Sequence, residues 1–362
     1  MKISRMNSRE RFQRACSCLS VDRTPVWIMR QAGRYLPEYL RLKERYTFRE
    51  LVSTPELATE VTLMPLQRFD FDAAIIFSDI LIIPEALGQP YEFQDKGGIS
   101  MKYRIDSRSD VAKLDSSNTR EKLNYVADAL RLVRKEIDNK KALIGFGGSP
   151  WTLAAYMLEG GSSKTLSRTK NLFYQDRLCF DHLLSKITEA LIESFNLQIE
   201  AGVDALQIFD SMGSFCPASD FDAMSLQWVK QIVDEVKGKV PLIFFSKGMA
   251  HHTDLLVTTG TEVLSIDWTV CLRQFADKLP AKLAVQGNLN PDLLTTDPAT
   301  VKEATNKILQ KMEGRLGHIF NLGHGITPKG KIECVQSIVE AVHEFTPSSS
   351  TSFGNSESSR PE

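Results

Sequence analysis

The sequence contains no apolar run long enough to cross a membrane, although 42% of its 362 residues are hydrophobic. Its N-terminal stretch MKISRMNSRERFQRA has no apolar core, so we expect neither a secretory signal nor a membrane protein. The six cysteines are scattered along the chain and include no C-x-x-C pair. This spacing predicts reduced thiols in a cytoplasmic protein rather than a disulfide framework.

Several familiar nucleotide, metal and hydrolase motifs are also missing. The stretch GGSSKT at 160–165 lacks the upstream glycine spacing of a P-loop, and no predicted strand leads into it. His251 and His252 have no third ligand at a suitable spacing, and we expect their adjacent side chains to diverge, so no metal site is predicted. The chain also lacks the G-x-S-x-G elbow of serine hydrolases. The sequence therefore offers no obvious nucleophile and no obvious metal.

The net charge is only −1, but the charges are unevenly distributed. The first 50 residues carry 12 basic and 5 acidic side chains, whereas the rest of the chain carries 32 and 40. A basic segment beside an acidic body is typical of a protein that binds nucleic acid or a polyanionic small molecule, although it can also be a solvated face. The arginines are not interleaved with aromatic residues, and no helix-turn-helix, RRM or zinc-finger spacing occurs. A polyanionic small molecule is therefore the favoured partner, and no nucleic acid is expected.

Eight short apolar runs recur along the chain, each stopped by glycine, serine or a charged residue, as is typical of parallel strands buried on both faces. They lie at 26–29, 73–77, 143–148, 205–210, 241–246, 263–267, 283–288 and 318–323. Helical patterns lie between them, at 55–69, 180–202 and 298–312. Strands that alternate with helices in this way predict an α/β protein with a single (β/α)8 TIM barrel. An open doubly wound sheet is the alternative, but no G-x-G-x-x-G follows the first run.

The predicted barrel domain covers residues 1–346 and carries a small inserted hairpin. The hairpin is predicted at 88–106, with its turn at Lys96-Gly97-Gly98, where it would partly cover one end of the barrel. A last helix is predicted from Pro328 to Phe345 and is expected to close the barrel. The polar, low-complexity tail at 347–362 is predicted to be disordered.

Polar or charged residues follow nearly every predicted strand, at the end where barrel enzymes carry their active sites. In chain order they are Arg30 and Arg34, Ser78-Asp79, Ser149, Asp210-Ser211, Ser246-Lys247, Asp267, Gln286 to Asn288 and His324. Turns are polar in general, but the joint pattern predicts one mouth that many segments line. Its arginines predict a polyanion site.

Six stretches together resemble one enzyme family, the uroporphyrinogen decarboxylases. They are RTPVWIMRQAGRYLPEY, AAIIFSDIL, IGFGGSPWTLAAYMLEGG, LSIDWTV, QGNL and NLGHGI, and the similarity runs in this order from about Thr24 to Phe345. The resemblance implies a single (β/α)8 barrel that works as a homodimer without metal or organic cofactor. It also implies a reaction, in which the four acetate groups of uroporphyrinogen become methyl groups and yield coproporphyrinogen and four CO2.

The same resemblance implies the residues of the substrate pocket, which are Arg30, Gln31, Ala32, Gly33, Arg34, Asp79, Tyr156, Ser211 and His324. The substrate carries eight carboxylates, and arginine binds carboxylates in a bidentate geometry that lysine lacks. Arg30 and Arg34 share one face if the turn after the first strand opens a helix. A structural salt bridge is the alternative role for these arginines.

The family also implies that Asp79, Arg30, Tyr156 and His324 take part in catalysis. The Asp79 carboxylate would accept hydrogen bonds from the pyrrole N–H groups and stabilise a ring that becomes cationic as CO2 departs. From spacing alone, Asp79 could equally cap the following helix. By the same reasoning Tyr156 would be a core residue and Ser211 a turn residue, and the proton donor stays open among Arg30, Tyr156, His324 and a water.

Two other functions fit parts of the sequence. A corrinoid-linked methyltransferase shares the barrel but binds zinc through a histidine and cysteine set, and no H-x-C occurs here. A tetrapyrrole carrier without catalytic activity would not need Asp79 and the arginines, and this chain has both.

Overall fold

The computed structural model describes residues 5–93 and 98–346, and its main feature is a parallel β-sheet. The sheet has seven strands in the order β1-β4-β5-β6-β7-β8-β9, and β2 and β3 form a separate antiparallel pair. The strands are β1 (Ala73–Ile75), β2 (Tyr91–Phe93), β3 (Ile99–Met101), β4 (Ala142–Gly148), β5 (Ala205–Asp210), β6 (Leu242–Ser246), β7 (Val263–Ser265), β8 (Ala284–Leu289) and β9 (His318–Leu322).

Helices connect the strands of this sheet and cover its outer face. They are α1 (Ser8–Cys16), α2 (Pro37–Lys43), α3 (Phe48–Ser53), α4 (Pro55–Arg68), α5 (Ile82–Ala86), α6 (Arg108–Lys113), α7 (Thr119–Lys122), α8 (Asn124–Ile137), α9 (Pro150–Glu159), α10 (Ser167–Gln175), α11 (Arg177–Glu200), α12 (Gln227–Val236), α13 (Thr253–Val257), α14 (Leu272–Ala276), α15 (Pro298–Met312) and α16 (Ile332–Glu344). Two 3₁₀ turns, Gly213–Phe215 and Pro291–Thr295, and a π-helical segment, Asp222–Leu226, lie in the connections. No helix in the described ranges is long and apolar enough to span a bilayer.

Seven of the eight predicted strands are present, and the predicted strand at 26–29 is not. This segment makes one isolated parallel bridge, between Val26 and Phe320 of β9. On its other side, the carbonyl of Val26 accepts a hydrogen bond of 2.8 Å from the N–H of Asp72, directly before β1. The sheet therefore has seven strands, and the prediction of eight is wrong for this segment.

Side chains take the hydrogen bonds that would have extended the segment into a strand. The Ile28 N–H donates to Oε1 of Gln31 at 3.3 Å, and the Met29 N–H donates to Oδ1 of Asn321 at 2.9 Å. These main-chain groups are satisfied without a ladder, so the chain turns away after one bridge.

The predicted helices agree with the structure except at some ends. The last helix begins at Ile332, not at Pro328, and it ends at Glu344. The residues before it form a turn in which the Gly330 N–H donates to the carbonyl of Thr327 at 2.9 Å. The Lys331 N–H then donates to the carbonyl of Leu294 at 2.8 Å, which ties this turn to a neighbouring segment instead of to a helix.

Apolar side chains fill the interior of the curved sheet, and α1 packs against them at one end. Phe12 and Cys16 of α1 belong to the same buried cluster as Ile144, Ile243 and Ile319 of the strands. Two ion pairs at this end, from the buried Arg11 and the partly buried Arg23 to the buried carboxylate of Asp72, measure 2.7 Å each. Because α1 occupies the amino ends of the strands, a ligand site is expected at their carboxyl ends.

The inserted hairpin is confirmed by the antiparallel pairing of β2 with β3, in which Tyr91 lies opposite Met101. Its predicted turn residues Lys96 and Gly97 lie outside the described residues, and so does the predicted tail at 347–362.

Candidate active site at the carboxyl ends of the strands

Arg30 lies directly after the bridging segment, in a left-handed backbone conformation with a φ of 64°. The preceding residue, Met29, is held on both sides, because its carbonyl also accepts a 3.0 Å hydrogen bond from Ile326. The Arg30 side chain lies across Gly325, where a β-carbon would come within 2.3 Å of its Cδ atom. The loop after β9 therefore determines where this guanidinium lies.

Arg34 does not share a helical face with Arg30. Residues 30–36 form turns and α2 begins only at Pro37, so no helix opens at Arg30 and the condition for a shared helical face is not met. Both arginine side chains are exposed, and among the described residues neither has an ion-pair partner. The structural salt bridge that was the alternative for these arginines is therefore not made in the described part of the chain.

Asp79 follows β1 and is half-buried. Burial raises the pKa of its carboxyl group to about 6, although the Leu81 N–H and the Arg30 charge act in the opposite direction. Oδ1 accepts the Leu81 N–H at 2.8 Å, but α5 begins at Ile82 and has no side-chain cap, so Asp79 does not cap this helix. Within the described ranges no hydrogen bond reaches Oδ2, which leaves this oxygen available to a ligand.

Tyr156 lies on α9, whose start is well defined by sequence. Ser149 caps the helix by accepting the Thr152 N–H at 3.1 Å, and Pro150 occupies its first turn. The ring is half-buried and also packs against the core. Burial raises the pKa of the Tyr156 hydroxyl, the nearby Asp79 carboxylate adds to this rise, and Arg30 opposes it. The charges of Asp79 and Arg30 therefore both act on the Tyr156 hydroxyl, which indicates that the three side chains lie in the same part of the mouth.

His324 follows β9 between two glycines and faces aromatic rings. The ring centroids of Phe245 and Trp268 lie 6.3 Å and 6.4 Å from it, both edge to face. Burial lowers the pKa of His324 to about 4, and the positive charges of Arg30 and Lys247 lower it further. The imidazole is therefore neutral at neutral pH.

Lys247 is a residue of this mouth to which the sequence assigned no role. It follows β6, is half-buried, and acts electrostatically on His324. Its N–H donates to the carbonyl of Asp210 at 3.1 Å, and its ammonium has no ion-pair partner among the described residues. Its place after a predicted strand was visible in the sequence, but a lysine in a turn is too common to be singled out by that signal alone.

The floor of the mouth has an aromatic side and a polar side. Phe146 and Phe245 both pack edge to face against Phe209, at centroid distances of 5.7 Å and 6.2 Å. On the strands that follow in the sheet, Asn288 and Asn321 are buried polar residues. Phe146 is the partly exposed ring of this group, whereas Asn321 is fully buried and Asn288 donates to the carbonyls of Asp267 and Val270 at 2.9 Å and 2.8 Å.

A comparison with known families identifies the chain. Residues 7–345 match the family model described as uroporphyrinogen decarboxylase (URO-D). The chain belongs to the uroporphyrinogen decarboxylase family. It is 42% identical over 330 residues to the uroporphyrinogen decarboxylase of Ruthia magnifica subsp. Calyptogena magnifica, which covers 90% of this chain and 95% of that relative. With that of Coxiella burnetii (strain RSA 493 / Nine Mile phase I) the identity is 44% over 343 residues, or 93% and 95% of the two chains.

Among solved structures, a methyltransferase from Methanosarcina mazei has a similar fold. The TM-score is 0.80 at 18% sequence identity, and the match covers 94% of this chain and 99% of that one. At this identity the likeness concerns the fold alone.

The remaining residues that were expected to line the substrate pocket differ in how deeply they are buried. Ser211, Ala32 and Gly33 are half-buried. The Gln31 side chain is fully buried, and its Nε2 donates to the carbonyl of Ala73 at 3.0 Å. Gln31 thus turns its side chain into the core, while its role in substrate binding, like that of the other residues, stays a prediction.

The histidine pair after β6 does not have the geometry that the sequence suggested. The rings of His251 and His252 do not diverge, because their centroids lie 3.9 Å apart. In the described part of the chain, no three His, Cys, Asp or Glu side chains form a group that could hold a metal ion.

Proposed function

We propose that this chain is a uroporphyrinogen decarboxylase, which converts the four acetate side chains of uroporphyrinogen III to methyl groups and releases coproporphyrinogen III and four CO2. The observation that carries the proposal is the Asp79 carboxyl group, half-buried beside Arg30 and Tyr156 in a chain of this family. We propose further that the reaction needs no metal and no organic cofactor, because the substrate ring itself accepts the electrons.

The substrate would be bound by cationic side chains that form no ion pair with the described part of the protein. Arg30, Arg34 and Lys247 have no carboxylate partner in the described ranges, so their charges are available to the carboxylates of the substrate. The aromatic side of the floor offers apolar surface to the pyrrole rings. Ser211 and Tyr156 would donate hydrogen bonds to individual carboxylates.

The chemistry begins with protonation of a pyrrole ring carbon, which makes that ring cationic. The bond between the acetate methylene and its carboxylate then breaks, CO2 leaves, and the bonding electrons flow into the cationic ring. The methylene carbon takes up a proton to become a methyl group, and the ring carbon loses the proton that it gained. The Asp79 carboxylate stabilises the positive charge as it develops.

The protonation state of His324 limits the roles that this residue can have. With its pKa lowered to about 4, its imidazole is neutral at the pH of a cytoplasm. We infer that His324 acts as a hydrogen-bonding group to the substrate, rather than as an imidazolium that is charged before the substrate binds. Arg30, Tyr156 or a bound water would then deliver the proton.

We infer further that the segment at 26–29 closes the seven-stranded sheet into a (β/α)8 barrel. This inference is supported by the two contacts of Val26, one with Phe320 of β9 and one with Asp72 before β1. From family membership we also propose that residues 1–346 form the catalytic unit and that the chain works in the cytoplasm as a homodimer with its two mouths facing each other.

The experiment is incubation of the purified chain with uroporphyrinogen under anaerobic conditions, with products separated by chromatography. Coproporphyrinogen should accumulate, and its yield should not change when a metal chelator is added. Methyl transfer that a chelator abolishes, without decarboxylation, would contradict the proposal and support a methyltransferase. Bound but unchanged uroporphyrinogen would support a tetrapyrrole carrier.

A further inference from the structure

Asp210, the last residue of β5, is a completely buried carboxylate that accepts hydrogen bonds from four hydroxyl groups. Oδ1 accepts from Ser149 at 2.8 Å and from Thr152 at 3.0 Å, and Oδ2 accepts from Ser225 and Ser246 at 3.0 Å each. No cation pairs with it among the described residues. Burial raises the pKa of this carboxyl group, against the effect of the four donors.

The four hydroxyls come from three different parts of the chain. Ser149 is the N-cap of α9 and Thr152 lies in its first turn, Ser246 ends β6, and Ser225 lies in the π-helical segment Asp222–Leu226. Four donors use both oxygens of a carboxylate fully, and a saturated buried network of this kind fixes the geometry of the groups that it joins. Asp210 therefore ties three separate segments together at one point.

Two of these segments carry a residue of the mouth, Tyr156 on α9 and Lys247 after β6, and a third mouth residue lies next to Asp210 itself. Ser211 follows Asp210 directly, and Tyr156 lies one helical turn beyond Thr152 on α9. The Asp210 carbonyl accepts the N–H of Lys247 at 3.1 Å, which places that lysine after β6. The Thr152 hydroxyl also accepts the N–H of Met212 at 3.2 Å, so the loop that contains Ser211 is held from both sides.

We propose that Asp210 is a positioning residue, which fixes Ser211, Tyr156 and Lys247 relative to one another so that they can bind the carboxylates of one substrate molecule. This proposal rests on the proposed function, because the three residues act together only if one polycarboxylate spans them. Asp210 itself is fully buried and all its acceptor positions are occupied by hydroxyl groups, so it would act through the residues that it positions.

The other end of β5 provides a matched control. Asp204, directly before the strand, is also a buried aspartate, but it is paired with the guanidinium groups of Arg9 at 2.7 Å and Arg134 at 2.5 Å. It also accepts the Leu143 N–H at 2.8 Å. Asp204 thus holds the amino end of the strand, far from the mouth, so its loss should affect stability without affecting substrate binding.

The test compares steady-state kinetics with uroporphyrinogen and thermal unfolding for Asp210→Ala, Asp210→Asn and Asp204→Asn. Displacing groups by about 1 Å costs on the order of 10²-fold, so Asp210→Ala should lower kcat/KM by about that factor, mainly through a higher KM. Asp210→Asn should keep most of the activity, because hydroxyls can turn to accept from its amide. Asp204→Asn should lower the Tm and leave kcat/KM unchanged.

A merely structural role predicts a different pattern. Partial unfolding removes active enzyme, so it would lower the apparent kcat of Asp210→Ala with an unchanged KM, and that result would overturn the proposal. Equal losses in Asp210→Asn and Asp210→Ala would overturn it too, because the charge and not the geometry would then matter. A wild-type chain without turnover would instead contradict the proposed function.

If Asp210→Ala does not fold, Thr152→Val decides the matter. This change keeps the shape of the side chain and removes one hydroxyl from the network, beside Tyr156 and Ser211. A buried hydrogen-bonding group without a partner typically shifts an equilibrium constant by about tenfold. We therefore expect the KM to rise by about that factor, with little change in kcat. A normal KM in a folded Thr152→Val enzyme would overturn the proposal.

Discussion

Replacing Asp79 by asparagine should make the protein more stable and less active at neutral pH. The pKa of the Asp79 carboxyl group rises from 3.8 to about 6 on folding because the group is buried. Each pKa unit corresponds to about 1.4 kcal/mol, so the ionised Asp79 carboxylate lowers the free energy of unfolding by up to about 3 kcal/mol. The group is only half-buried, and solvent screening reduces this cost to about 1 to 3 kcal/mol.

Asparagine removes this cost and keeps the structural hydrogen bond. Its Oδ1 can still accept the Leu81 N–H that Asp79 accepts at 2.8 Å. For a protein of this length, a gain of about 1 to 3 kcal/mol corresponds to a Tm higher by roughly 1 to 4 °C. At the same time kcat should fall by roughly 10²–10³, the usual effect of removing one strong electrostatic group from an active site.

The pH dependence provides a second measurement. A carboxyl group with a raised pKa binds its proton more tightly in the folded state, so the wild type gains stability as the pH falls from about 6 to about 4. The stability advantage of Asp79→Asn should therefore be complete above pH 6 and vanish near pH 4. The kcat/KM of the wild type should fall below pH 6, as the carboxylate becomes protonated, and the variant should lack this limb.

Thermal unfolding between pH 4 and 8 and turnover between pH 5 and 8 check both effects. Glu136→Gln is a suitable control, because Glu136 is an exposed carboxylate on α8 with no hydrogen bond or ion pair among the described residues. A variant with normal kcat would refute the role of Asp79 in transition-state stabilisation and leave it as the acceptor of the Leu81 N–H alone. A variant less stable than the wild type at pH 7.5 would refute the argument from burial.

Four further predictions concern binding and assembly. Arg34→Lys should raise KM with little change in kcat, because the charge stays and the bidentate geometry is lost; an unchanged KM would contradict this. Lys247→Gln should also raise KM, by about tenfold, and a variant that binds substrate normally would place Lys247 outside the pocket. Deleting residues 347–362 should leave turnover unchanged, and a large loss would show that the tail takes part in the site. Light scattering at micromolar concentration should give the mass of a homodimer, and a monomer would contradict the proposed assembly.

The sheet was largely predictable because its strands are short apolar runs that end in polar residues. The run at 205–210 coincides with β5, and that at 318–323 contains β9. The segment at 26–29 has the same apolar pattern and is not a strand, because its N–H groups donate to the side chains of Gln31 and Asn321. Asn321 lies 292 residues away along the chain, so no local pattern could have indicated this contact.

The site was predictable as a set of positions but not as a geometry. The motifs placed Arg30, Asp79 and His324 after predicted strands, and in the structure the charge of Arg30 acts on both Asp79 and His324. The left-handed conformation of Arg30 and its packing on Gly325 depend on a loop at the other end of the chain. The pKa of Asp79 depends on the packing around it, which composition and spacing do not encode.

The hydrogen bonds around Asp210 could not be predicted from the sequence either. Its donors Ser149, Ser225 and Ser246 lie at the start of α9, in a π-helical segment and at the end of β6, and no spacing in the sequence relates them to one another. The aspartate that joins them, Asp210, was recognised only as a polar residue at a strand end. Its four hydrogen bonds became visible only when the strands were placed side by side.

The most direct test of the central claim is to count the CO2 released for each uroporphyrinogen consumed by the purified chain. With substrate labelled in its acetate carboxyl groups and oxygen excluded, we expect four labelled CO2 molecules for each coproporphyrinogen formed, and at least about 10²-fold slower release by the Asp79→Asn enzyme. Uroporphyrinogen that keeps its label in the presence of folded wild-type protein would contradict the account.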